Sequence, residues 1–140
     1  VKSYPIDTNI PSELTKRHPH TPVTDFLVRA GRDRVYLSVP TIGEIAKGIA
    51  GLPDGVRRED LREWSDRVLR PWFAGRILPV TENVAERWGV FAAERKRRGR
   101  PLATADGLIA ATAAVHDLVL VTRNTKDFED LPVATHNPWH

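Results

Sequence analysis

Short apolar segments alternate along this chain with longer amphipathic stretches, and that alternation narrows the fold more than any other feature. Val1 to Ile6, Val35 to Leu37, Ile77 to Val80 and Leu118 to Val121 read as strands. The last is continuously apolar, the pattern of a sheet interior. Helical spacing fills the intervals. Ile42, Ile45, Ala46 and Ile49 recur at i, i+3, i+4, i+7 within Thr41 to Ala50. Leu61, Trp64 and Val68 share a face within Arg57 to Leu69. Val84, Trp88, Phe91 and Ala92 do so in a helix starting at Thr81. Ala105 to Val115, with Ile109, Ala110 and Ala113 on one side, reads as a buried helix, and shorter helices are expected over Ile10 to Leu14 and Val23 to Ala30. Gly31 should stop the latter, Gly51 to Gly55 is a linker, and Pro71 should kink or end its helix. Pro5, lacking an N–H, belongs at an edge or a strand end. The stretch closing on Asn137-Pro138-Trp139-His140 reads as irregular. The order predicts an α/β fold with a central parallel sheet of about four to five strands and helices on both faces.

A chain of 140 residues is expected to form one domain over residues 1–140. Such a length buries roughly two-thirds of the unfolded surface. The absence of cysteine removes disulfides, thiolate metal sites and cysteine nucleophiles. No apolar run reaches the length of about eighteen residues that spans a membrane, and the first residues lack the order of a signal peptide. A cytoplasmic location is expected. The net charge of +3 permits contact with nucleic acid without requiring it.

Open parallel sheets form their sites beyond the carboxyl ends of the strands, and acidic residues gather there. Asp7 follows the first strand, and Glu44 lies early in the helix after the second. Asp106 opens the helix before the last strand. Asn124 follows that strand, with Asp127 one turn beyond. Carboxylates drawn from several segments repel one another unless a cation holds them, and oxygen-only ligands select Mg²⁺ or Mn²⁺. Such an ion activates water and stabilises charge developing on a phosphodiester.

Each acid also has a structural alternative. Asp7 can cap the helix near Ile10. Thr41-Ile42-Gly43-Glu44 has capping-box spacing, which makes Glu44 a cap if Thr41 is the N-cap and leaves it free if Ser38 is. Asp106 can serve only the helix dipole.

Four ordered stretches carry a family resemblance. Ile6-Asp7-Thr8-Asn9-Ile10-Pro11-Ser12-Glu13-Leu14, Leu37-Ser38-Val39-Pro40-Thr41-Ile42-Gly43-Glu44-Ile45, Ala103-Thr104-Ala105-Asp106-Gly107-Leu108-Ile109-Ala110-Ala111-Thr112-Ala113 and Leu120-Val121-Thr122-Arg123-Asn124-Thr125-Lys126-Asp127-Phe128 resemble the motifs of PIN domains of the VapC toxin type. Phe73 to Pro79 and Asn137-Pro138-Trp139 are similar to its FitB-like branch. The resemblance implies a PIN-like fold and a Mg²⁺-dependent endoribonuclease toxin, with Mn²⁺ as a substitute. Asp7, Glu44 and Asp106 would bind or surround the ion. Asn124, an acid in some relatives, would complete the site at one negative charge less. Products would carry a 5′-phosphate and a 3′-hydroxyl. The resemblance also implies a homodimer and a cognate antitoxin, with operator DNA bound only through the antitoxin complex. Thr8, Asn9, Ser38 and Thr122 are candidate hydrogen-bonders behind the ligands.

Two other functions fit parts of the chain. Asn124 motivates a PIN-like RNA-binding module with weak or no catalysis. A phosphotransferase of the haloacid dehalogenase type would use Asp7 as nucleophile, but its motif wants a second aspartate where Asn9 stands. Glu94 to Arg100, with five positive side chains and one negative, is either a phosphate-contacting ridge or a solvated helix end. Trp64, Trp88 and Phe91 read as core or dimer contacts. The five histidines show no ligand spacing and are expected at the surface.

Overall fold

The computed structural model describes residues 2–140, so Val1 of the expected opening strand lies outside the described residues. The described part of that strand is β1 (Tyr4–Pro5), which pairs in parallel with β2 (Val35–Ser38), and β2 pairs with β3 (Ile77–Leu78). On the other side of β1, Ile6 bridges Val121 of β4 (Val119–Val121), and β4 pairs in parallel with β5 (Ala134–His136). The spatial order is therefore β3-β2-β1-β4-β5, all parallel. β5 was not legible in the sequence. It is a three-residue edge strand with two exposed positions, and it carries no apolar run.

Pro5 is the last residue of β1, the strand-end placement expected for it, although β1 is the middle strand of the sheet. Val119 N donates to Ser3 O (3.2 Å) and Asp7 N donates to Val121 O (2.8 Å), so the nitrogen of the intervening residue faces β4. Proline has no proton to place there. The β1–β4 ladder is accordingly thinned to one bridge.

Helices cover both faces. Successive strand residues point oppositely. Val121 joins Ile6, Val23, Phe26, Val35 and Leu37 in one core, and Leu120 joins Val84, Phe91, Ile109 and Phe128 in the other. The first core is covered by α1 (Asn9–Leu14), α2 (Thr21–Ala30) and the helical run from α4 (Val56–Trp64) to α5 (Arg70–Trp72). α3 (Val39–Ala50) lies beside it. The second core lies under α6 (Glu82–Arg97) and α7 (Thr104–Val115).

Pro71 stands next to the end of its helix, which stops at Trp72. A π turn over Ser65–Leu69 joins α4 to α5 immediately before it. The wider turn gives a proline ring room that a regular turn does not. It also rotates the face. Val68, expected inside, is 56% exposed, and Leu69 takes its place at 4%. Pro40 sits in the first turn of α3, where a missing N–H costs nothing, and Gly31 ends α2 at φ +87°.

α6 and α7 pack closely at Gly107. A Cβ there would lie 2.6 Å from Trp88 Cδ1 and 2.9 Å from its Nε1. Gly107→Ala is expected to destabilise the protein by about 1–3 kcal/mol through overpacking. Urea unfolding checks this, and Trp88→Leu in the same chain should recover part of the loss.

Candidate active site at the switch of strand order

The sheet order reverses at β1, whose carboxyl end faces a crevice between the β2 and β4 sides. Asp7 sits at that end. It is buried, and its carboxylate does not cap α1. The N-cap is Thr8 and makes no side-chain cap bond. Asp7 Oδ2 instead accepts from Thr122 Oγ1 (2.8 Å) and Asn9 Nδ2 (3.4 Å), while Oδ1 accepts from the adjacent Thr8 N (2.7 Å).

Ser38, not Thr41, is the N-cap of α3. Its hydroxyl pairs with Thr41 Oγ1 (3.1 Å), so it does not reach the acids. Glu44 then falls in the second turn and is released from capping. Asp106 is in the first turn of α7, half-buried. Asn124 follows β4 and places its N–H on Thr122 Oγ1 (3.0 Å).

Asp7, Glu44, Asp106 and Asn124 line one cleft of about 410 Å³, together with Thr8, Asn9 and the cations Lys16 and Arg123. Its electrostatics are unbalanced. Burial pushes the Asp7 carboxyl above its ordinary value, against the bonds from Thr122 and Thr8, and the charges of Glu44 and Asp127 push the same way. Asp106 is raised by burial first, then by Asp7, Glu44 and Asp127. Asp127 thus acts at a distance. Its own segment is a 3-10 turn (Thr125–Phe128) whose Asp127 carbonyl is held by Arg95.

These residues suit a hard divalent cation by donor type, since every candidate ligand offers oxygen. Thr8 Oγ1 adds a buried hydroxyl on the cleft wall with no partner. As they stand, the side chains are splayed. Among the described residues, no three His, Cys, Asp or Glu are gathered closely enough to hold an ion.

A family model described as PIN domain matches residues 4–134. The chain belongs to the PIN-domain family. It is 40% identical over 135 residues to Toxin FitB of Neisseria gonorrhoeae, covering 96% of this chain and 97% of that one. It is 34% identical over 134 residues to VapC ribonuclease Y4jK of Sinorhizobium fredii, covering 96% of each. A FitAB complex bound to a DNA fragment superposes at TM-score 0.88 with 39% identity, covering 98% of this chain and 96% of that one.

In this PIN domain the sequence motifs located the four cleft residues, Asn9 and Thr122. They did not single out Glu13, which is buried under Lys16 and bonded by His20 N (2.9 Å). Arg123 and Trp139 also went unassigned, because their meeting depends on the chain returning through β5. Thr122, fully buried, tethers Asp7 and the Asn124 backbone together. Thr122→Val keeps the volume and deletes both bonds, together with the one that Asn9 Nδ2 donates to Thr122 Oγ1 (3.3 Å). It is expected to weaken metal activation about 10–100-fold, the usual loss when a ligand's own partner is removed. Titration of activity against Mg²⁺ measures it.

Proposed function

We propose that this chain is the toxin of a type II toxin–antitoxin pair and hydrolyses RNA phosphodiester bonds with a divalent metal ion, Mg²⁺ in the first place and Mn²⁺ as a substitute. The observation that carries the reading is the convergence of Asp7, Glu44, Asp106 and Asn124 on one cleft at the switch in strand order. Asp7, Asp106 and Glu44 would hold the ion, and Asn124 would complete the site with its side-chain carbonyl oxygen. The bound ion supplies Lewis acidity toward water and toward the phosphodiester.

The chain's own groups do the rest. Thr122 and the Thr8 N–H fix the Asp7 carboxylate so that its oxygens are not free to rotate. Asn9 ties Asp7 to the loop after β4 through Arg123 N, which donates to Asn9 Oδ1 (3.3 Å). Burial of Asp7 strengthens the charge interactions that its carboxylate makes. Its partner is a cognate antitoxin, with operator DNA reached through that complex, and the toxin forms a homodimer. No described helix is long and apolar enough to cross a membrane.

The second reading, an RNA-binding module with weak or no catalysis, draws on Asn124 and on the open spacing of the acids. One experiment separates the two. Purified protein is incubated with mixed cellular RNA in Mg²⁺, in Mn²⁺ and in EDTA. Discrete fragments that need metal support the ribonuclease. Intact RNA retained by a folded, antitoxin-free protein supports the binding module.

A further inference from the structure

Two cations line the acidic cleft, and they differ. Lys16 is neutralised by Glu13 at 2.9 Å. Arg123 has no acidic side chain within ion-pair distance among the described residues, although it shares the cleft with four carboxylates, Asp7, Glu13, Glu44 and Asp106. Its guanidinium lies over the Trp139 ring instead, 5.1 Å from the centroid. The backbone around it is fastened as well. Arg123 N donates to Asn9 Oδ1 (3.3 Å), and Arg123 O accepts from Asn137 Nδ2 (3.4 Å). Asn137 Oδ1 in turn accepts from Trp139 N (2.9 Å). One asparagine therefore clips the loop after β4 to the tryptophan that carries the arginine.

A guanidinium placed over an indole face, with no acid paired to it, keeps N–H groups for an outside acceptor. The acceptor that belongs in a cleft of metal-binding carboxylates is a phosphate oxygen. Beyond Arg123 the cleft runs into a second cavity, which shares Glu13, Lys16, Arg123 and Trp139 with the first and continues to His18 and His20. We propose that Arg123, positioned by Trp139 and Asn137, is an RNA phosphate-binding residue, and that the substrate strand leaves the carboxylates across this shelf toward His18 and His20. The inference rests on the ribonuclease reading for the identity of the strand.

The test is binding of a fluorescein-labelled single-stranded RNA to the whole chain in EDTA, across a salt series, beside metal-dependent cleavage of the same RNA. The variants are Arg123→Ala, Arg123→Lys and Trp139→Phe, the last chosen because Trp139 packs on the core and its truncation endangers folding. Arg123→Ala should weaken binding about tenfold and reduce the slope of log K against log salt by about 0.7, one phosphate contact on a single strand. Its KM for cleavage should rise more than its kcat falls. Arg123→Lys should keep the slope and recover part of the affinity, and Trp139→Phe should weaken binding less than Arg123→Ala. A merely structural role for Arg123 leaves the salt slope untouched. Wild-type affinity and slope in a folded Arg123→Ala protein overturn the proposal, whether or not the wild type cleaves. Loss of binding in that variant without any wild-type cleavage leaves the phosphate contact standing and overturns only the nuclease. RNA that the wild type neither binds nor cleaves overturns both.

Discussion

Asp106→Asn is expected to abolish metal-dependent RNA cleavage, by about a thousandfold or more, and at the same time to raise the melting temperature of the metal-free protein. On the proposed metal-dependent reading, the first effect is the loss of a charged ligand, whose contribution of several kcal/mol to the transition state translates at about 1.4 kcal/mol per tenfold. The second follows from the cleft's electrostatics. Burial and the charges of Asp7, Glu44 and Asp127 raise the folded-state pKa of Asp106. A raised carboxylate binds its proton more tightly in the folded than in the unfolded chain, so its ionised form lowers stability at neutral pH. That cost is recovered as pH falls through the folded pKa toward the ordinary carboxylate range near about 4. The gap in stability between wild type and variant should therefore be widest at neutral pH and close on acidification. Mg²⁺ should raise the wild-type melting temperature and leave the variant's nearly unchanged. Differential scanning fluorimetry across pH, with Mg²⁺ and with EDTA, reads both. A variant melting below the wild type at neutral pH in EDTA would mean that Asp106 stabilises the fold and is not strained by its neighbours.

Arg95→Ala should be the most damaging substitution outside the cleft, costing about 3–5 kcal/mol, the loss typical of a broken buried pair. The residue is 6% exposed. Nε donates to Arg100 O (2.9 Å), and Nη1 donates to Asp127 O (2.9 Å) and Asp130 Oδ1 (3.3 Å). Truncation takes this donor from two carbonyls and leaves the Asp130 carboxylate with only its two exposed arginines. Arg98 and Arg100 also reach Asp130 at 3.3 Å, but from exposed positions, where an ion pair contributes at most about 1 kcal/mol. Arg98→Ala is therefore a control expected to change little. Because Arg95 holds the turn that follows Asn124, its loss should also lower activity at temperatures where the variant is still folded. Urea unfolding gives the stability, and cleavage well below the melting temperature gives the rest. A cost under about 1 kcal/mol would show that the buried arginine is replaceable by packing alone.

Arg95 also shows where a linear reading ends. Glu94 to Arg100 looks like a basic ridge, and three of its five cations turn to one aspartate about thirty residues on. Nothing local distinguishes Arg95, drawn inside, from Lys96 and Arg97, which stay exposed. The same limit hid Trp139. Its role depends on β5, an edge strand too short and polar to announce itself, which returns the chain beside β4. Val68 and Leu69 exchanged places because the π turn added a step that helical periodicity does not count.

The sequence alone determined what depends on local pattern. Alternating apolar strands and amphipathic helices specify a parallel sheet covered on both faces, since each buried face needs a partner. The acids at strand ends specify where negative charge gathers, since a parallel sheet opens its crevice at the carboxyl ends. Tertiary structure decided what depends on distance in space. It freed Asp7 and Glu44 from capping, set Thr122 behind Asp7, pulled Arg95 inward and laid Arg123 over Trp139. Those outcomes turn on hydrogen bonds and charge contacts between residues far apart in the chain, for which no spacing rule exists.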